Sequence, residues 1–141
     1  IPERKLKPLP TLQLERSIAA GAEVSNLSKA DVFVDAYFGF SQKLPLPDIF
    51  LASIEKANRD SALKISLDLP SGFNKTNGDH LFRPDFILTM AAPKIELIKF
   101  GHGPGLFIAD IGIPGNLYEH FGICQPDFAK EGIVKFTNLP G

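Results

Sequence analysis

The chain has almost no cysteine: Cys124 is alone among 141 residues. A disulfide framework is thereby excluded, and a reducing intracellular compartment, cytoplasmic or mitochondrial, is expected. No Cys and His spacing matches a zinc site. Only three His are present and none forms a motif with Cys124, so a catalytic thiol lacks its base. An excess of charge of one sign is missing too. Fifteen Lys and Arg against 16 Asp and Glu leave a net charge of −1, which points to neither nucleic acid nor an anionic membrane surface as partner. No apolar run approaches the roughly 20 residues of a membrane span. The start, Ile1-Pro2-Glu3-Arg4-Lys5, does not read as a signal peptide and lacks an initiator Met, so a processed or truncated N-terminus is expected. Internal repeats, low-complexity segments and the G-x-S-x-G nucleophile elbow are absent.

What is present suits a single soluble domain with a real core. Apolar residues make up 44% and charged residues 22%, both ordinary for a globular chain. Residues 1–10 are Pro-rich and basic and read as a connector. Thr11 to Ala20 carries a loose apolar face through Leu12, Leu14, Ile18 and Ala19, with Thr11 as a candidate N-cap and Gly21 as a stop. Val32 to Phe38 is an apolar run broken by Asp35, the pattern of a strand buried on both faces of a parallel sheet. Asp48 is placed to cap a helix whose inner face is Phe50, Leu51, Ile54 and Ala57. Strands are expected at Leu63–Leu67, Asp85–Met90, Gly105–Ile111 and Gly132–Phe136, with a short helix opened by Pro114 and closed by Gly122. Strand, helix, strand, then several strands with short links predicts an α/β sheet whose early part is parallel.

Two segments carry candidate chemistry: Val34-Asp35-Ala36-Tyr37-Phe38-Gly39 and Leu67-Asp68-Leu69-Pro70-Ser71-Gly72. Each delivers a carboxylate from an apolar run into a turn, which is how α/β folds build ligand sites at their strand ends. Asp35 within an apolar strand must be paired, hydrogen-bonded or bound to a cation. Asp68 is a candidate base, since partial burial at a strand end suits that role; alternatively it caps its own turn through the amides of Ser71 or Gly72. Ser71 is better placed to hold a ligand or cation by an oxygen than to attack one, and plain turn chemistry is its other reading. The loop Gly39-Phe40-Ser41-Gln42-Lys43-Leu44-Pro45 offers amides, a hydroxyl and a cation to a phosphorylated ligand. Lys94 pairs with a carboxylate or phosphate, or is solvated. His102 and Asp110 read as loop and turn residues.

These segments, with Leu88-Thr89-Met90-Ala91-Ala92-Pro93-Lys94 and Ala109-Asp110-Ile111-Gly112-Ile113-Pro114, occur in the order and spacing of one family. From about Thr11 to Ile123 the chain resembles the NAD(P)H-hydrate epimerases, built on the YjeF N-terminal domain. The resemblance implies a Rossmann-like three-layer α/β/α fold. It implies an enzyme of nicotinamide nucleotide repair, interconverting the R and S forms of hydrated NADH or NADPH for a partner dehydratase, and a possible homodimer. It further implies that Asp35 and Ser71 are potassium ligands, that Gly39, Phe40, Ser41, Gln42, Lys43, Leu44 and Pro45 lie along the dinucleotide, and that Asp68 contacts the hydrated ring as its base. The family's Asn-Asn-Gly-Gly-Asp-Gly phosphate loop would fall before residue 1. On this reading residues 1–141 are a single partial domain without its first strand–helix unit, exposing sheet surface. Gly115 to Phe136 is also reminiscent of the YjeF-like domain of enhancer of mRNA decapping proteins, a non-catalytic dimerising scaffold. Scaffolds of that kind tend to lose the acidic residues that this chain keeps, which favours the epimerase.

Overall fold

The computed structural model describes residues 7–25, 29–99, 105–128 and 131–137. His102 and the Arg4-Lys5 cluster lie outside the described residues. The chain divides into two compact units, Ile1–Ala30 and Asp31–Gly141.

Among the described residues the first unit holds one helix, α1, Pro8–Ala19. It starts inside the segment read as a connector. Proline is tolerated in a first helical turn because that turn's N–H groups have no partner to lose. Thr11 is therefore within the helix and not its cap: Lys7 holds the N-cap position, and its carbonyl accepts both the Thr11 amide (3.0 Å) and the Thr11 hydroxyl (3.1 Å). The helix carries no buried residue.

The second unit is a five-stranded sheet: β1 (Val32–Asp35), β2 (Leu63–Leu67), β3 (Phe86–Met90), β4 (Gly105–Ala109) and β5 (Ile133–Lys135), in that spatial order. The first four strands are mutually parallel and β5 is antiparallel to β4. Flanking it are α2 (Asp48–Arg59), α3 (Ile95–Lys99) and α4 (Gly115–His120). The α/β class is as expected, and so are the parallel early strands. The short helix α3 carries too few turns to show a periodicity in sequence. At α2, Pro47 takes the N-cap position and Asp48 is the first helical residue, where its charge still favours the helix dipole.

The strands are not buried on both faces. Side chains alternate, with Phe33, Asp35, Ser66, Ile87, Thr89, Leu106 and Ile108 buried on one face, while Val32, Val34, Leu63 and Phe86 on the other are exposed. Topology explains this. Parallel crossovers run right-handed, so strand order that follows chain order sends every crossover to the same face. That covered face carries the core, where Leu69, Phe73, Ile87, Leu97 and Leu106 pack together. Asp35 ends β1 instead of interrupting it, because its carboxylate turns inward to the loop after β2. Beyond it, Tyr37 and Phe38 leave the sheet and pack edge-on against Phe50 of α2. Among the described residues no helix is long and apolar enough to cross a membrane.

Candidate functional site

The carboxyl ends of β1, β2 and β3 lie side by side, and each delivers one charged residue. Register places Asp35 beside Ser66. Asp35 is 3% exposed while Ser66 and Ser71 are fully buried. One oxygen of Asp35 accepts the Ser71 amide (2.7 Å) and the Ser66 hydroxyl (3.3 Å); the other accepts the Ser71 hydroxyl (2.6 Å). The structure thus brings Asp35 and Ser71 into direct contact from opposite ends of two segments.

Asp68 follows β2 with φ +68°, a left-handed conformation that Asp and Asn tolerate better than other side chains. Its amide remains in the sheet, donating to the Leu88 carbonyl at 2.9 Å. The bend leaves the carboxylate between two neighbouring strand ends. Oδ2 accepts the Phe40 amide at 2.8 Å from the loop after β1. Oδ1 meets the Lys94 ammonium at 3.0 Å from the turn after β3. Asp68 does not cap its own turn: the Ser71 amide goes to Asp35 and the Gly72 amide to Gln42. Close approach also explains Gly39, where a Cβ would stand 2.8 Å from Asp68 Oδ2.

Gln42 is the residue whose role the sequence did not show. Its Nε2 donates to the Pro70 carbonyl (3.1 Å), and its Oε1 accepts the amides of Gly72 (2.7 Å) and Phe73 (3.2 Å). Both ends of the amide are thus spent on the turn that carries Ser71, tying the loop after β1 to the turn after β2. Ser66 was missed as well, though a polar residue between Ile65 and Leu67 in a buried strand was a readable signal. Of the remaining loop residues, Phe40 is half-exposed under the Lys75 ammonium, 3.2 Å from its ring centre, and Ser41, Lys43, Leu44 and Pro45 are exposed. Cys124 is exposed. Asp110 is the expected turn residue, accepting the Gly112 amide at 2.8 Å.

The turn after β2 also depends on Gly72. Its φ is +81°, and an added Cβ would stand 2.5 Å from Leu81 Cγ. Gly112 has a similar φ of +75° with nothing within 4 Å. Gly72→Ala is therefore expected to lower the thermal midpoint clearly more than Gly112→Ala. Both carry the left-handed cost of about 1–2 kcal/mol, and only the former adds a steric overlap. Equal midpoints would show that Leu81 yields without cost.

The Asp35–Ser71 pair and the Asp68–Lys94 pair thus lie at the carboxyl ends of neighbouring parallel strands, the place where α/β folds build small-molecule sites. The family description "YjeF-related protein N-terminus" matches residues 4–95, and the chain belongs to this family. It is 33% identical over 112 residues to the NAD(P)H-hydrate epimerase of Rhodopirellula baltica, covering 75% of this chain and 46% of that protein. It is 36% identical over 130 residues to the NAD(P)H-hydrate epimerase of Entamoeba histolytica, covering 89% of this chain and 56% of that protein. A bifunctional NAD(P)H-hydrate repair enzyme of Thermofilum pendens is 36% identical over 97 residues, 67% of this chain and 17% of that protein. The chain spans about half the length of the two epimerases. The crystal structure of yeast ynu0 superposes with a TM-score of 0.66 at 22% identity over 77% of this chain and 47% of that one, which confirms the Rossmann-like fold.

Proposed function

We propose that this chain carries the proton-transfer site of a NAD(P)H-hydrate epimerase. The observation that carries the reading is Asp68, fixed between the Phe40 amide and the Lys94 ammonium beside the buried Asp35–Ser71 pair. Support also comes from the relatives named as such epimerases. In the hydrate, water has added across the enamine double bond of the dihydronicotinamide ring. The hydroxyl therefore sits on the carbon bonded to the ring nitrogen, and that carbon has an R and an S form. Such a carbon inverts when one of its bonds opens and re-forms from the other face, which needs a base to take and return a proton. Asp68 is proposed as that base, and the backbone of Gly39 to Pro45 as the bed for the dinucleotide. The repaired form would pass to a dehydratase, a link supported by the bifunctional relative.

A potassium ion is proposed at Asp35 and Ser71, and the donor chemistry fits one. All side-chain donors there are oxygens. The buried carboxylate has no cationic side chain among its described partners, although burying a charge without compensation is costly. Asp35 Oδ1 accepts a single hydrogen bond and the Ser71 hydroxyl keeps its lone pairs, so both can still reach a cation. On the same sheet face, Thr89 is fully buried with its hydroxyl unpartnered. A bound ion would supply positive charge near the phosphates of the dinucleotide.

The test follows the two epimers of hydrated NADH and of hydrated NADPH by chromatography. Starting from one epimer, the protein should restore the equilibrium mixture far faster than buffer alone. A rate equal to buffer, in potassium-containing solution, would sink the reading.

A further inference from the structure

Lys94 does more than neutralise Asp68. It lies on a built turn: Ala91 takes φ +65°, its amide donates to the Ala109 carbonyl at 2.9 Å, and its carbonyl accepts the Tyr118 hydroxyl at 2.9 Å. Burial, and then the nearby Asp110 charge, push the Tyr118 hydroxyl's pKa further above its ordinary value. The sharp turn sends the Lys94 side chain back over the strand end, where Nζ donates to the Met90 carbonyl at 3.1 Å and meets Asp68 at 3.0 Å. An ammonium has three protons. Among the described residues one goes to the Met90 carbonyl, and the contact with Asp68 Oδ1 is an ion pair without hydrogen-bond geometry, so the ammonium keeps a proton for a ligand. The side chains of Lys94 and Asp68 are 24% and 21% exposed, covered enough to be fixed and open enough to be reached.

Resting on the epimerase reading, we propose that Lys94 is the acid partner of Asp68, and that the pair inverts the substrate by opening and reclosing the ring carbon–nitrogen bond. The separation argues for this route. Inversion by loss and return of water needs groups on opposite faces of one carbon, as in inverting glycosidases, whose carboxyls stand about 6.5–9.5 Å apart. Asp68 and Lys94 are 3.0 Å apart and address one face, which suits two atoms bonded to the same carbon: the hydroxyl oxygen and the ring nitrogen. Asp68 takes the hydroxyl proton, the C–O bond becomes a carbonyl, and the C–N bond breaks with its electron pair going to nitrogen. Lys94 gives that nitrogen a proton. A proton then passes from the Asp68 acid to the Lys94 amine and restores the pair. The aldehyde turns about its C–C bond, the nitrogen adds to the other carbonyl face, its proton returns to an acceptor of the pair, and the oxygen regains one.

The two routes differ in the fate of oxygen. In water labelled with heavy oxygen, ring opening keeps the original oxygen in the inverted product, above the background of buffer alone. Lys94→Ala should lose about 10²-fold or more in kcat with KM little changed, and added methylamine should restore part of the rate. One solvent oxygen per inversion overturns the proposal, and so does a wild-type rate in Lys94→Ala or a lost rate that no amine restores. The label experiment needs no variant, so poor folding of Lys94→Ala leaves it intact. A wild-type protein that does not accelerate epimerisation removes the epimerase reading and this proposal with it; turnover with solvent oxygen removes the proposal alone.

Discussion

Asp68→Asn is expected to slow epimerisation by about 10²–10⁴-fold, the usual contribution of a positioned general base, with a modest fall in thermal midpoint from loss of the Lys94 ion pair. The substitution separates chemistry from scaffold. Asparagine tolerates the φ of +68° at this position almost as well as aspartate does, and its carbonyl oxygen can still accept the Phe40 amide. What it cannot do is take a proton. Asp68→Ala would blur the result, because alanine in the left-handed region is strained by about 1–3 kcal/mol and leaves the Phe40 amide without its acceptor. The check is kcat/KM for both hydrates beside a thermal melt. A wild-type rate in a folded Asp68→Asn protein would take the base role from this residue.

The sheet was legible in the sequence because its strands are short apolar runs bounded by turn residues, and β2 spans Leu63–Leu67 as expected. Strand ends were less legible where the chain turns for a tertiary reason. β1 stops at Asp35 because Ser71 holds the carboxylate, and Ser71 lies 36 positions away. Exposed sheet surface was expected from the family resemblance and is seen at Val32, Val34, Leu63 and Phe86, but which face is exposed follows from strand order, which local pattern does not encode. Candidate residues were visible one by one, since a carboxylate in an apolar strand is conspicuous. Their partners were not. The Phe40 amide on Asp68 and the three bonds of Gln42 to the Pro70–Phe73 turn run between segments that sequence pattern cannot bring together. Backbone donors carry no side-chain signature at all. Lys94 was readable as a residue that could pair with a carboxylate, and the turn at Ala91 decides which one.

Asp35→Ala is expected to damage both the fold and the site. Three donors lose their acceptor: the Ser71 amide, the Ser71 hydroxyl and the Ser66 hydroxyl. The hydroxyls can turn toward other acceptors, but the Ser71 amide is fixed in a residue with no exposure. A buried donor left unpaired costs about 1–3 kcal/mol, and hydrogen bonds to a charged group contribute about 1.5–3 kcal/mol. Relief from burying a carboxylate offsets part of this, so a loss of about 2–4 kcal/mol is expected, lowering the thermal midpoint by roughly 6–20 °C. Asp35→Asn should not rescue it, since its amide would set a donor against one of these donors. The proposed ion adds a second readout. A cation that binds only the folded state raises the midpoint by mass action. Potassium should therefore stabilise the wild-type protein over a bulky organic cation at equal ionic strength, and should do nothing for Asp35→Ala. If potassium stabilises both proteins equally, it binds elsewhere, and Asp35 is left as the structural acceptor that holds the Ser71 turn against the end of β1.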